Sequence, residues 1–334
     1  MSPINDLFDR PVHDLRVSVT DRCNFRCTYC MPKEVFGPGY EFMRREELLT
    51  FEEITEIVQV FVSRGVEKVR ITGGEPLLRK DIEELVAMVA AVPGVNDLTL
   101  TTNGSLLERK AEALAETGLD RVTVSLDAMD DPTFQAMNDV GFPVGTVLEA
   151  IDAAAAAGLG PIKVNCVVQR GVNEHAVVDM ARHFRGTPHI VRFIEYMDVG
   201  TTNGWRLDDV VSADEILEAI DAEFPLEALA PNYPGEVANR FRYVDGAGEI
   251  GVIASVTKPF CGSCTRARVS AEGTLYTCLF ASSGTSLRDT IRTGGDLGQT
   301  IDDVWSKRDD RYSEIRSSNT ARIATPVEMS YIGG

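Results

Sequence analysis

The sequence predicts an α/β fold: a partial (β/α)6 TIM-like barrel with a smaller C-terminal α+β region closing its open side. Three observations predict it. Six short runs rich in β-branched residues alternate with longer amphipathic stretches, the rhythm of a parallel sheet with right-handed crossovers. Six units fall short of the eight that close a full barrel, and a doubly wound open sheet is the alternative. Beyond about residue 225 the rhythm yields to turn-rich sequence with short strands, which sets the expected division at 1–225 and 226–334.

The first strand is read in LRVSVT (15–20), and the next five in KVRIT (68–72), DLTLTT (97–102), RVTVSL (121–126), IKVNCVV (162–168) and IVRFIEYM (190–197). Amphipathic helical stretches follow at about 50–64, 81–92, 105–117, 144–158, 175–185 and 212–222. The alanine run at 153–157 is a good helix segment ending at Gly158. After 225, PNYPGE and DGAGE mark turns, while EIGVIASV and ARVSAEGTLYTC read as short strands.

With 334 residues, 44% of them hydrophobic, the chain can bury a large core. A net charge of −18 argues against broad binding to nucleic acid or anionic lipid, so an anionic substrate needs local Arg and Lys clusters. No apolar run approaches the roughly 20 residues of a membrane span, and the N-terminus has neither a basic start nor an apolar middle. The expected location is cytoplasmic. Seven cysteines in such a chain point to metal or redox chemistry rather than structural disulfides.

Six of the seven fall into two groups of three. Cys23, Cys27 and Cys30 follow the first strand with spacing Cys-x3-Cys-x2-Cys. Three thiolates can hold three corners of an iron–sulfur cubane and leave the fourth iron open. The alternative is structural zinc with a fourth ligand from elsewhere. Cys261, Cys264 and Cys278 repeat the pattern as Cys-x2-Cys-x13-Cys, and no histidine (13, 175, 183, 189) lies near them in sequence. A zinc ribbon is the alternative there too. Cys166, inside the fifth strand, reads as a small buried apolar residue.

Strands covered on both faces should be nearly continuous Val, Ile and Leu, and these are not. Arg70 and Thr72, Thr99 and Thr101, Thr123 and Ser125, and Lys163 and Asn165 each share one face of a strand, and Arg192 interrupts the sixth. Unpartnered buried cations are costly, so the pattern predicts a polar cavity. Its mouth belongs at the C-terminal strand ends, where the first cysteine group, Gly73-Gly74-Glu75, Thr101-Thr102-Asn103-Gly104, Ser125-Leu126-Asp127 and Glu195-Tyr196-Met197 all fall. The two glycines allow close backbone approach to a ligand. Arg266 and Arg268, at i and i+2 of an extended segment, offer two planar forks suited to phosphate.

CNFRCTYC (23–30) resembles the signature of the radical S-adenosylmethionine (SAM) superfamily. Both cysteine groups, TRAR (265–268), RFIEYMDVG (192–200) and the terminal Tyr331-Ile332-Gly333-Gly334 together resemble the GTP 3′,8-cyclase family of molybdenum cofactor biosynthesis, over nearly the whole chain. The resemblance implies two [4Fe–4S] clusters. One, on Cys23, Cys27 and Cys30, would take SAM at its open iron, with Tyr29, Gly74, Ser125 and Met197 holding the rest of that cofactor. The other, on Cys261, Cys264 and Cys278, would take the guanine of GTP, whose triphosphate meets Arg16, Arg70, Thr101, Lys163, Arg266, Ala267 and Arg268.

The implied reaction abstracts hydrogen from ribose C3′ with a 5′-deoxyadenosyl radical and joins C3′ to guanine C8, giving (8S)-3′,8-cyclo-7,8-dihydroguanosine 5′-triphosphate. Arg192, Arg266 and Arg268 would assist catalysis, and the Gly333-Gly334 tail would insert into the site. The implied partners are a reducing electron donor such as flavodoxin or ferredoxin, and cyclic pyranopterin monophosphate synthase to receive the product. Neither nucleic acid nor a membrane is expected, and the chain is expected as a monomer or homodimer. The competing functions are another radical SAM enzyme with an auxiliary cluster, acting on a peptide or sugar, and a zinc-stabilised binding module.

Overall fold

The computed structural model describes residues 4–316 and 326–333. Six βα units lead the chain. β1 (Asp14–Ser18) is followed by α1 (Phe51–Val62), β2 (Lys68–Thr72) by α2 (Ile82–Ala90), and β3 (Asp97–Thr102) by α3 (Leu107–Glu116). β4 (Arg121–Ser125) is followed by α4 (Asp131–Asn138) and α5 (Val144–Ala156), β5 (Lys163–Val168) by α6 (Ala176–Phe184), and β6 (Ile190–Glu195) by α7 (Ala213–Asp221). Local chemistry sets the helix starts. Thr50 and Glu53 form a capping box on α1, and Ser212 and Glu215 form one on α7.

α4 is absent from the sequence reading, although its signal was present. Asp130 caps it by accepting from Thr133 N at 2.8 Å, and Pro132 sits in its first turn. The segment is short and has only a modest apolar face, so periodicity does not single it out.

The remaining elements are β7 (Leu226–Leu229), β8 (Asn239–Tyr243), β9 (Glu249–Ile253), β10 (Arg266–Val269), β11 (Thr274–Tyr276), β12 (Thr285–Ser286), α8 (Leu287–Arg292), α9 (Leu297–Trp305), α10 (Tyr312–Ile315) and α11 (Met329–Ile332). They do not build a second sheet. Among the described residues one sheet runs β12-β11-β10-β1-β2-β3-β4-β5-β6-β9-β8-β7. β10 lies parallel to β1 and β9 parallel to β6, so the parallel run has eight strands, six from the barrel units and two from the C-terminal region. Between β9 and β10 the chain passes from one end of that run to the other through residues 254–265, which carry Cys261 and Cys264.

Register sorts the faces. Leu15, Val17, Val69, Ile71, Leu98, Leu100, Val122, Val124 and Val164 are fully buried on one face, and they form the core with α1–α3 and α5–α6. The other face is polar. Arg16 stands opposite Arg70 on one side and Arg268 on the other, and Asp14 stands opposite Lys68 and Arg266. The strands therefore present a continuous cationic wall to the interior.

Candidate active site

All six grouped cysteines are free and line one cavity of about 560 Å³. The first group sits on the loop after β1. Arg26 staples that loop by donating to the carbonyls of Cys23 (2.8 Å), Phe25 (2.7 Å) and Phe36 (2.7 Å). Its backbone docks on the end of α4, through Arg26 N to Asn138 O and Thr28 N to Met137 O. Phe25, buried, packs against Phe134 and Phe142. Tyr29 donates its hydroxyl to Asp127 at 2.8 Å, and burial pushes the Asp127 carboxyl up to about 6 against that bond and one from Val167 N. Burial also raises the thiols. Cys23 is pushed to about 11, with Glu75 adding repulsion, and Cys27 and Cys30 move in the same direction. As thiolates, these sulfurs need a cationic partner between them.

The glycine pair makes a close approach within the chain as well. Gly74 N donates to Thr20 O and Glu75 N to Arg22 O, both at 2.8 Å. A Cβ on Gly73 would lie 2.7 Å from Thr20 O, and one on Gly74 would lie 2.6 Å from the Arg22 carbonyl carbon. That approach is to the chain's own cysteine loop, and both glycines also line the cavity. Glu75, fully buried, accepts from Asn103 N (2.7 Å), Thr102 Oγ1 (2.8 Å) and Leu77 N (3.0 Å), thereby joining the ends of β2 and β3. Burial lifts its carboxyl to about 7 against those three donors. Glu75→Ala leaves all three donors unpaired, with an expected cost of about 3–5 kcal/mol read as a lowered thermal midpoint.

In the second group Cys261 and Cys264 flank a short helical turn, and Cys278 follows β11. Cys264 Sγ accepts from Arg266 Nη2 at 3.0 Å. Burial pushes that thiol up, but Arg266 and then Arg308 outweigh it and bring it down to about 6, ready to ligate as thiolate. Cys278 is pushed up to about 11 by burial and by Asp310. Among the described residues no three Cys, His, Asp or Glu side chains converge closely enough to hold a single metal ion. Three thiols in each group, all lining one cavity, suit a cubane, whose ligands bind separate irons. Each triad thus fits a cluster with one iron left open.

The cavity wall between the triads is cationic. Of the expected site residues Arg16, Arg70, Lys163, Arg192, Arg266 and Arg268 all line it, as do Thr101, Tyr29, Gly74, Ser125 and Met197. Arg70 Nη1 donates to Thr101 and Thr123, and Arg192 Nε to Asn165 Oδ1. Burial, then repulsion from Arg192 and its neighbours, drops the Lys163 ammonium to about 7. Burial followed by repulsion from Arg70 lowers Arg192 to about 9, and burial followed by Arg266 lowers Arg268 to about 10. Guanidinium groups keep their protons at such values, so Arg192 and Arg268 stand as buried cations whose charge is disfavoured first by burial and then by like-charged neighbours.

Lys68 and Arg121 belong to the same wall and were missed, although each shares a strand face with an expected residue, Arg70 and Thr123. Asp97 ion-pairs with both. Ala267 departs from expectation. It pairs in register with Leu15, is fully buried on the opposite face, and does not line the cavity.

The C-terminal tail closes one side. Val327 N donates to Ala281 O, and Glu328 accepts from Thr201 N and Oγ1 and Thr202 Oγ1 at 2.8–3.0 Å. Met329 and Ser330 line the cavity. Arg268 Nη1 donates to Gly333 O at 2.5 Å, and a Cβ on Gly333 would strike Thr72 Cγ2. A side chain is excluded at that position. Gly334 lies outside the described residues.

Residues 17–184 match the Radical SAM superfamily and residues 189–314 match Molybdenum Cofactor Synthesis C. The GTP 3′,8-cyclase of Acidothermus cellulolyticus is 53% identical over 99% of both chains. The GTP 3′,8-cyclase of Xanthomonas axonopodis pv. citri is 51% identical over 100% of this chain and 99% of its own. The chain belongs to the GTP 3′,8-cyclase family. It is thereby also a radical SAM protein, a superfamily whose cofactors are a [4Fe–4S] cluster and SAM. The crystal structure of Streptococcus suis SuiB bound to S-adenosylmethionine shares the fold, with a TM-score of 0.66 at 14% identity, over 93% of this family member and 69% of that chain. Among the described residues no helix of this GTP 3′,8-cyclase family member is long and apolar enough to cross a membrane.

Proposed function

We propose that the chain is a GTP 3′,8-cyclase that converts GTP to (8S)-3′,8-cyclo-7,8-dihydroguanosine 5′-triphosphate in molybdenum cofactor biosynthesis. The observation that carries the reading is that two cysteine triads and a mutually repelling set of buried cations share one cavity, in a chain of net charge −18. Cys23, Cys27 and Cys30 would hold the [4Fe–4S] cluster that takes SAM, and Cys261, Cys264 and Cys278 a second that takes guanine. Loaded, these groups supply a 5′-deoxyadenosyl radical able to take hydrogen from ribose C3′.

The chain's own residues do the rest. Arg16, Lys68, Arg70, Lys163, Arg266 and Arg268 neutralise the triphosphate and fix the nucleotide along the barrel. Tyr29, Gly74, Ser125 and Met197, at the other end, hold SAM. Arg192, held by Asn165 in the cavity wall, would act as a donor to the reacting base. The tail, anchored by Glu328 and Arg268, would close the site so that a substrate radical meets only the groups positioned around it. A flavodoxin or ferredoxin would supply electrons in the cytoplasm, and cyclic pyranopterin monophosphate synthase would take the product. The units at 1–225 and 226–334 would each bring one cluster.

The decisive assay is anaerobic incubation of reduced holoenzyme with SAM and GTP, followed by mass spectrometry. Formation of 5′-deoxyadenosine together with the cyclised nucleotide is expected. SAM cleavage without a GTP-derived product would instead indicate a radical SAM enzyme acting on another substrate.

GTP binding should also take up a proton. Lys163, at about 7 before the ligand arrives, is mostly neutral at pH 8, and a triphosphate favours its charged form. Affinity therefore falls as pH rises above about 7. Calorimetric titration of GTP at pH 8, in buffers of different ionisation enthalpy, should show uptake approaching about one proton. Lys163→Arg should abolish the uptake while keeping the charge.

A further inference from the structure

Behind the second triad lies a buried ionic group of which only Arg308 reaches the cavity wall. Asp6, Arg10 and Arg308 have side chains 0–2% exposed. Asp6 Oδ2 accepts from Arg10 Nε at 2.6 Å and from Arg308 Nη1 at 3.0 Å, and its Oδ1 accepts from Phe8 N and Arg10 N. The two guanidinium groups then reach outward to every segment that carries a cysteine of the second triad. Arg10 Nη1 donates to Cys261 O at 2.7 Å and to Asp310 O at 2.9 Å. Arg308 Nη1 donates to Cys264 O at 2.8 Å, and its Nε to the carbonyl of Thr277, next to Cys278, at 3.1 Å.

The group is itself anchored. Trp305, fully buried at the end of α9, donates its indole N–H to Arg10 O at 3.2 Å and lies under Arg308. Leu7 N donates to Arg308 O. The turn at 261–264 and the segment at 277–278 are therefore spaced by two forks, one from each end of the chain's order, that meet on a single carboxylate. Arg308 lines the cavity, whereas Asp6 and Arg10 do not.

We infer that the Asp6–Arg10–Arg308 group is the positioning element of the second triad, so that retention of the second cluster depends on the chain's first ten residues. The inference rests on the two-cluster reading above. Ligand-orienting partners behind a metal site set how tightly it is held, by roughly 10–100-fold on loss. The first triad has its own staple in Arg26 and draws nothing from this group, so the two sites should respond separately.

The test reconstitutes wild type, Asp6→Asn and Arg10→Lys anaerobically. It measures iron per chain, iron loss to a chelator, and the SAM-perturbed electron paramagnetic resonance signal that reports the first cluster. Wild type should hold about eight irons and Asp6→Asn about four, with the SAM-perturbed signal retained. Arg10→Lys keeps the internal charge balance but loses the fork. Its second-cluster irons should leave about 10–100-fold faster than in wild type, while first-cluster irons leave at the wild-type rate. Two variants that keep eight irons at wild-type loss rates would overturn the inference, and so would loss of both clusters in step. A wild type with only about four irons would instead overturn the two-cluster reading.

Discussion

Replacing Arg266 and Arg268 together with alanine is expected to weaken GTP binding by roughly 100–1000-fold. Each guanidinium fork on a phosphate contributes about 1.5–3 kcal/mol, so two are worth about 3–6 kcal/mol before any offset. Part of that is recovered, because the empty site carries repulsion among Arg16, Arg70, Arg266 and Arg268 that the substitution relieves. The net loss corresponds to two or three decades in Kd. The two single variants should differ in kind. Arg268 also holds Gly333 O, so Arg268→Ala should lower kcat as the tail loosens. Arg266 instead donates to Cys264 Sγ, so iron content must be measured alongside affinity in Arg266→Ala. Anaerobic calorimetry with GTP checks the prediction, and a Kd within about threefold of wild type would contradict it.

Gly74→Ala is expected to disable the first triad. The added methyl would press on the Arg22 carbonyl carbon at 2.6 Å and Asp21 O at 3.0 Å. Both are backbone atoms, so no side-chain rotation relieves the clash. The loop must move, breaking Gly74 N to Thr20 O and Glu75 N to Arg22 O, and Arg22 directly precedes Cys23. Overpacking of this kind costs about 1–3 kcal/mol of stability. Displacing one cluster ligand should cost about 10–100-fold in cluster retention and SAM cleavage. Gly145→Ala in α5 is the control. Its Cβ would meet nothing within 4 Å, and alanine favours a helix, so it should be neutral or mildly stabilising. A Gly74→Ala protein with full iron and full SAM cleavage would refute the contact argument.

Much of the barrel was legible because each strand is specified within five or six residues. β1 to β6 stand out as β-branched runs, and their inward cations and threonines break the pattern at every second position. That local signal was enough to place Arg70, Lys163 and Arg192 in one cavity, while Arg16 came from the family resemblance alone. Long-range pairing was not legible. β10 joins β1 across roughly 250 residues, and nothing in RARV names its partner. The sequence therefore suggested a separate C-terminal region, whereas its strands extend both ends of the barrel sheet.

The limits at the site have the same cause. Gly73 and Gly74 announce a close approach without saying to what, and the nearest neighbour is the chain's own loop. Asp6, Arg10 and Arg308 carry no periodicity, and Arg308 sits about 300 residues from the other two, so only folding reveals that they share one buried point. Lys68 was within reach of the sequence argument, since it lies two residues before Arg70 on the same strand face.

The central claim is that GTP lies between the two triads with its ribose facing the SAM end of the cavity. GTP deuterated at C3′ tests this most directly, under anaerobic turnover with SAM. The account predicts one deuterium in 5′-deoxyadenosine for each cyclised nucleotide formed. Unlabelled 5′-deoxyadenosine with no nucleotide product would contradict it.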